Sequence, residues 1–543
     1  MQTFTKELNP LHGRIDKIKD FSKIKPQTSV EKEEYPHLEI VTQINIRAVK
    51  KAIYRLHKLE IELEDQAKAI QMETDLDERI SAVRIYNKIL KSIYECIDRI
   101  NKELIKVDTP YFGKILFETD VKKTKKVLPI YIGKFSLMDP NTFQPLISDW
   151  RAPIANLYYE NSGPTKNLTF EAPSGVREGD LIQKRQFNIS EARFVSIYDA
   201  KSGNIAADEF LLSQLTERLG QKLKDIVSTI QKQQNLIIRD EANKPVIIQG
   251  VAGSGKTTIL LHRLAYLFYT YKNKIHPEKT LIIAPNKMFL DYISDVLPSL
   301  GIQHVEGNTY IFWAKSILDW DDTYTVYPGE ENLEIKEYKG GVEFINLLEK
   351  YFEEFESKLL DNIPYSRRDT IKKRYYKLKE MYPEIAMEER LTLSLEYTFA
   401  QKQFNKKKTG YIDVESEFEK GKRSEIAKYF KKMTTPIDMY RNMFKEGYTE
   451  QSIAEYTLKG TVKKGKLKTF RVEDLAPILY LFMKIHGHKE FEKEYIMVDE
   501  AQDLSLIQIV TLVLISKNYN ITLAGDLAQS IIPPFYIKDW ESV

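Results

Sequence analysis

The chain holds 543 residues, 42% of them apolar, enough to fill the cores of three or four domains. Its 81 basic and 78 acidic side chains nearly cancel, so global charge names no nucleic-acid partner and any electrostatic partner has to meet a local patch. The one cysteine, Cys96, excludes a disulfide framework and a cysteine metal cluster. The longest apolar run, around Ile507 to Ile515, is far short of the ~20 residues of a membrane helix, so a cytoplasmic protein with no membrane partner is expected.

Residues 37 to 107 predict two long helices. Apolar positions fall at Ile46, Val49, Ile53, Leu56, Leu63, Ala67 and Ile70 in the first, and at Leu76, Ile80, Val83, Leu90, Tyr94, Ile97 and Leu104 in the second. These steps of three and four form a coiled-coil seam. Glu60, Asn87 and Asn101 interrupt it, which favours an antiparallel hairpin turning near "QMETDLDER" over a continuous dimer zipper. Each arm should reach roughly 35 to 45 Å. The distal end, residues 60–78, carries Glu60, Glu62, Glu64, Asp65, Glu73, Asp75, Asp77 and Glu78 against Lys68 alone. Such a run reads either as a solvated helix end or as a negative probe for a basic channel or a bound metal ion. DNA would repel it.

From residue 110 to about 200 short alternating runs such as "KILFET", "LPIYIGKF" and "LIQKRQFNI" predict a small antiparallel β-rich unit. A helical segment follows, and from Pro245 strand and helix signals alternate as in a parallel α/β sheet. A Lys/Glu-rich, mostly helical stretch over 320–470 interrupts that alternation and reads as an insertion.

The chemistry is concentrated in "PVIIQGVAGSGKTTILLHRLAYLF". Val246 to Gln249 suit a buried strand, and Gly250 to Thr257 fit G-x-x-x-x-G-K-[ST] ahead of a helix-spaced apolar run. Gly250, Gly253, Ser254, Gly255 and Thr258 frame a loop whose backbone N–H groups would close round phosphates at a helix N-terminus. Lys256 would charge-pair with the β- and γ-phosphates and Thr257 would offer its hydroxyl to Mg2+. In "EYIMVDEAQDLS" a second buried strand delivers Asp499 to its C-terminal end, where Mg2+ is held, followed by Glu500 to orient or deprotonate an attacking water. ATP and Mg2+ are the expected cofactors.

"DEAQD" together with "LAGDLAQSI" resembles the UvrD-like superfamily I helicases. The resemblance implies that Gln502, Asp503, Asp526 and Gln529 lie between nucleotide and nucleic-acid groove, with Gln529 sensing the γ-phosphate. It also implies that Gln234 in "STIQKQQNLIIRDE" reads adenine, and that "TLIIAPNKMFLDYI" belongs to the motif touching single-stranded DNA. "TPYFGKILF", "YIGKFSL", "SDWRAPIANLYY", "QKRQF" and "EDLAPILYLFMKIHG" are similar to stretches of HelD, a family of bacterial helicase-like ATPases that work on RNA polymerase. In that family a helical arm enters the polymerase secondary channel, whose catalytic centre holds Mg2+ and basic residues, and this gives the acidic tip at 60–78 a physical reason.

The resemblance implies an α/β chain with a hairpin arm over 1–109 and a β-rich unit over 110–225. A P-loop RecA-like parallel-sheet domain would span 226–319 and 470–543, with a helical insertion at 320–469. The implied function is an ATP-binding factor that binds and remodels or recycles bacterial RNA polymerase. The other reading is an ATP-dependent 3'-5' DNA helicase of repair or recombination, with DNA as partner. UvrD-like motors place a second RecA-like domain with catalytic arginines after "GDxxQS", whereas here thirteen residues follow Ser530. Hydrolysis by this chain is therefore expected to be weak or partner-dependent, since an absent arginine finger is worth about 10³ to 10⁵ in rate. "QSII" also sets Ile532 where many relatives have an aromatic.

Overall fold

The computed structural model describes residues 26, 28–121, 124–172, 175–199, 227–251, 253–320, 324–327, 332–363, 368–406, 435–460, 462–464, 467–529, 537 and 539–542. Ile532 lies outside the described residues. The chain forms two compact units, Met1–Asp240 with Ser299–Gly301, and Glu241–Pro298 with Ile302–Val543.

In the first unit α1 (Ser29–Met72) and α2 (Leu76–Asp108) form the hairpin. Thr28 and Glu31 cap α1 reciprocally, and Asp75 caps α2 by accepting the N–H groups of Asp77 and Glu78. Glu73 accepts the N–H groups of Thr74 and Asp75 at 2.9 and 3.0 Å, so two of the tip carboxylates build the turn itself. The helices have 44 and 33 residues, about 66 and 50 Å at 1.5 Å per residue, both longer than expected, and α1 starts at Ser29 rather than near residue 37.

The seam between them buries Val49, Ala52, Leu56, Ile93, Cys96, Ile100, Leu104 and Val107. This corrects the expected register of the second helix. Tyr94 is 50% exposed, and Leu76, Ile80 and Val83 are exposed as well. Steps counted from Leu76 assumed an apolar seam running to the tip, whereas the described contact tapers off beyond Leu63 and Ile89.

The root of α1 is fastened to the β-rich unit. Strands β1 (Gly113–Val121), β2 (Thr124–Gly133), β3 (Leu137–Met138), β4 (Pro145–Asp149), β5 (Thr165–Ala172), β6 (Gly175–Ser190) and β7 (Arg193–Asp199) form one sheet in the order β3-β4-β2-β1-β6-β5, with β7 also on β6. Every pairing is antiparallel except β2 with β4. Leu38 and Val41 of α1 pack with Tyr111, Tyr131, Ile147 and Phe187 of this layer. Beside them the fully buried Glu34 accepts from Lys114 Nζ at 2.7 Å, Tyr131 OH at 2.8 Å and the Arg185 guanidinium. A buried carboxylate with three donors on three strand positions is desolvated but satisfied, and it holds the arm at a defined angle to its own sheet.

The "DWRAP" turn is structural. Arg151 grips Asp149 bidentately at 2.7 and 2.8 Å, and Trp150 is buried. After α3 (Asn156–Glu160), α4 (Lys232–Arg239) docks on this turn. Arg239 donates to the carbonyls of Trp150, Arg151 and Ala152, and Asn235 donates to Asn156 at 2.6 Å. These bonds draw residues 227–240, expected with the ATP-binding sheet, into the first unit.

The second unit begins with β8 (Val246–Gln249), α5 (Lys256–Thr270), β9 (Thr280–Ile283), α6 (Lys287–Val296), β10 (Glu306–Asn308) and α7 (Tyr310–Ile317). There follow β11 (Tyr324–Tyr327), α8 (Leu333–Gly340), α9 (Val342–Asp361), α10 (Arg368–Met381), α11 (Met387–Lys406), α12 (Pro436–Lys445), α13 (Gln451–Lys459), β12 (Val462–Lys464) and β13 (Leu467–Arg471). The unit closes with α14 (Val472–His486), β14 (Tyr495–Val498), α15 (Leu506–Ile515) and β15 (Ile521–Gly525). A five-stranded sheet, wholly parallel, runs in the order β10-β9-β14-β15-β8.

Towards the two ends of the 320–469 stretch β11 and β13 pair in parallel, and with β12 they form a separate three-stranded sheet in the order β11-β13-β12. The described helices of this stretch share one continuous core with the wholly parallel sheet. Phe344, Leu348, Tyr375, Leu391 and Tyr440 belong to the same apolar cluster as Leu281, Ile283, Ile496 and Val498. At its centre α14 is buried nearly all round. It carries Asp474, paired with the fully buried Lys339 of α8 at 2.6 Å. No described helix is long and apolar enough to cross a membrane.

Candidate nucleotide site

Parallel strands gather their C-terminal ends on one edge of a sheet, and here that edge carries the motif residues. The loop after β8 leads into α5, and the backbone at Gly253 (φ 76°) and Gly255 (φ 83°) lies in the left-handed region where a side chain is strained. A Cβ at Gly250 would stand 2.6 Å from Ser254 Oγ. Gly255 is the N-cap of α5 and no side chain caps it, so the first-turn N–H groups remain for an anion. Lys256, 7% exposed, turns its Nζ back into the loop and donates to the carbonyls of Gly250 at 2.7 Å and Val251 at 3.3 Å. Ser254 is exposed, and Thr258 is half-buried with its carbonyl 2.7 Å from His262 Nδ1.

The neighbouring strand end meets this loop. Thr257 Oγ1 donates to Asp499 Oδ2 at 2.6 Å, joining residues far apart in sequence. Burial pushes the Asp499 carboxyl up to about 6, and the Thr257 hydroxyl works against that rise. Glu500 adopts a left-handed backbone (φ 52°, ψ 45°), a conformation costing a non-glycine residue about 1 kcal/mol or more. Strain of this kind persists where neighbours over-determine it, and Gln502 Nε2 holds the Glu500 carboxylate at 2.8 Å.

A hydrogen-bonded chain continues across the strand ends. Gln502 Oε1 accepts the N–H of Asp526 at 2.9 Å. The buried Asp526 in turn accepts from Gln249 Nε2 at 3.0 Å and from the Gln529 amide. Gln249 Oε1 accepts the Trp540 indole N–H at 2.7 Å. Asp503, raised by burial and by Glu500, has a buried Oδ1 without a hydrogen-bond partner. The structure thus brings together Gly250, Gly253, Ser254, Gly255, Lys256, Thr257, Asp499, Glu500 and Gln529 on one sheet edge. Gln234 lies in the first unit, where its side chain accepts the N–H of Gln231 at 3.1 Å and caps its own helix. Sequence reasoning missed Gln249 and Gly525. The signal was available: a polar residue ends an apolar strand just before the loop, and a glycine precedes Asp526.

The donor set fits a magnesium-bound polyphosphate. An uncapped helix start and a buried ammonium suit phosphate oxygens, and a hydroxyl paired with a carboxylate suits a hard cation with oxygen ligands. A parallel sheet presenting such a loop beside an Asp-Glu strand end defines a P-loop NTPase of the UvrD-like type. The family model described as AAA domain matches residues 233–533, and the one described as DNA helicase IV HelD, N-terminal domain, matches residues 44–209. The chain belongs to the UvrD-like superfamily of helicase-type AAA proteins and is HelD-like. No curated protein matches it.

Proposed function

We propose that the second unit binds Mg-ATP and that the arm of the first unit docks on bacterial RNA polymerase, so that the protein acts in the cytoplasm as a polymerase-remodelling or recycling factor. Lys256 and the loop N–H groups take the phosphates, and Thr257 and Asp499 take the cation. Bound Mg2+ supplies positive charge to the phosphate oxygens. Glu500 orients or deprotonates the attacking water, and Gln529 senses the terminal phosphate through Asp526. The polar chain from Glu500 to Gln529 supports this reading, because it gives a change at the phosphate a fixed route to the next strand end.

The observation that carries the polymerase half is the distal arm itself. Ile61, Met72, Leu76, Ile80 and Val83 are exposed there among the carboxylates. A charged helix end that has only to stay solvated gains nothing from such apolar surface, whereas a docking tip does. The HelD-type match over the arm's helices and the rooted α1 support the same reading.

The test is retention of bacterial core RNA polymerase by the immobilised chain. Glu60, Glu62, Glu64 and Asp65 are replaced by lysine, leaving the turn-forming Glu73 and Asp75 intact. Loss of retention with unchanged helicity is expected. Equal retention by both proteins removes the tip from the contact.

A further inference from the structure

The arm has a second charged zone that the acidic tip conceals in any overall count. Residues 47–58 of α1 carry Arg47, Lys50, Lys51, Arg55 and Lys58 and no carboxylate. Lys51, Arg55 and Lys58 recur at steps of four and three, so they share one helix face. The antiparallel register brings Cys96 against Ala52, its Sγ 3.3 Å from the Ala52 carbonyl, and so sets Arg99 of α2 beside the same face.

At this level the seam is built from small residues. Ala48, Ala52 and Ser92 leave a hollow of about 660 Å³, rimmed by Lys51, Arg55, Lys58 and Arg99 with Glu95 as the one carboxylate. Tyr54 stands on the rim, 63% exposed, with the Lys58 ammonium 5.0 Å from its ring centroid.

From this geometry we infer that the shaft of the arm binds single-stranded nucleic acid. Four cations on one rim meet a phosphate backbone, and each neutralised phosphate releases counterions. The exposed tyrosine offers a stacking face to a base, and the apolar hollow is of a size that holds a planar ring. An acidic protein surface would answer the cations but would leave the aromatic and the hollow unused. The acidic tip repels the same strand, so bound nucleic acid is confined to the shaft. The inference does not rest on the polymerase reading, whose test alters other residues.

The experiment is fluorescence anisotropy of the full chain with labelled 20-nucleotide single-stranded RNA and DNA of one sequence, between 50 and 200 mM salt. The variant K51Q/R55Q/K58Q/R99Q is compared with Y54A and wild type. All five side chains are exposed, and a thermal melt confirms the fold. Loss of the four cations is expected to weaken binding at least tenfold at low salt. The log–log salt slope becomes shallower by about 2 to 3, at ~0.7 per phosphate. Y54A weakens binding about tenfold and leaves the slope unchanged. Strand binding by the second unit is common to all three proteins and cancels in the comparison. Loss with both strands supports the inference, and loss with one alone supports it and names the strand. Unchanged affinity and slope overturn it. If the fourfold variant fails to fold, K58Q and Y54A singly carry the same comparison.

Discussion

Gln502 and Asp526 are joined by a side-chain oxygen accepting a backbone N–H at 2.9 Å, which ties the acidic motif after β14 to the end of β15. The bond exists because Gly525 has no side chain. A Cβ there would lie 2.5 Å from Gln502 Oε1 and 3.2 Å from both the Gln502 nitrogen and the Trp540 ring. Gly525→Ala should therefore displace Gln502 and release the Glu500 carboxylate from the Gln502 amide. Overpacking of this order costs about 1–3 kcal/mol, read as a lower urea midpoint. An unchanged midpoint with unchanged nucleotide affinity would mean that the amide can move freely.

Lys256 and Asp499 separate the phosphate and cation roles. Lys256→Ala removes a charge-assisted donor worth about 1.5–3 kcal/mol, so affinity for a fluorescent ATP analogue should fall about 10- to 100-fold with or without magnesium. Asp499→Asn should instead abolish the gain in affinity that Mg2+ brings and leave metal-free binding near wild type. Titrations with and without EDTA distinguish the two patterns. A magnesium response retained by Asp499→Asn would move the cation elsewhere.

The phosphate loop was legible because its chemistry is local: strand, glycines, lysine and helix follow one another between Val246 and Phe268. The parallel sheet was legible for the same reason, through short buried runs each ending in a polar motif. The arm's seam was not. A heptad count cannot show where the buried apolar contact between two helices ends, and Tyr94 fell on the counted stripe yet faces outward because the contact runs through Ile93 and Cys96. Gln234 was placed by resemblance with the nucleotide residues. Its helix is held in the first unit by Arg239, which donates to the carbonyls of the "DWRAP" turn, and backbone carbonyls carry no side-chain signal. The Asp474–Lys339 pair likewise joins two helices whose sequences show only ordinary surface charge.

That pair makes a strong stability prediction. Lys339 is fully buried, its ammonium lies 2.6 Å from Asp474, and Tyr440 OH donates to the same carboxylate at 2.6 Å. Asp474→Ala strands a buried cation and should cost about 3–5 kcal/mol. The triple change K339M/D474L/Y440F removes charge and hydroxyl together and should recover most of that loss. Denaturation of the three proteins checks it. A triple variant as unstable as Asp474→Ala would show that the cluster acts through packing alone.

His37 sets a pH dependence at the root of the arm. Its ring stacks on Tyr131 at 3.5 Å, and burial pushes its pKa down to about 4, against the pull of Glu34. The folded value lies below the unfolded 6.5, so the unfolded chain binds the proton more readily. Stability from this group is complete above pH 6.5 and is lost as pH falls towards 4. Between pH 7.5 and 5 the loss should be about 2 kcal/mol by linkage. Asp499 runs the other way, because its folded value is raised and its contribution declines as pH rises through about 6. Comparing wild type with His37→Phe, which keeps the stack and removes the proton, isolates the histidine. Urea midpoints at the two pH values should diverge in wild type more than in the variant by that amount. Equal pH dependence in both proteins would mean that protonated His37 is accommodated at the root, with Glu34 as the carboxylate that takes it.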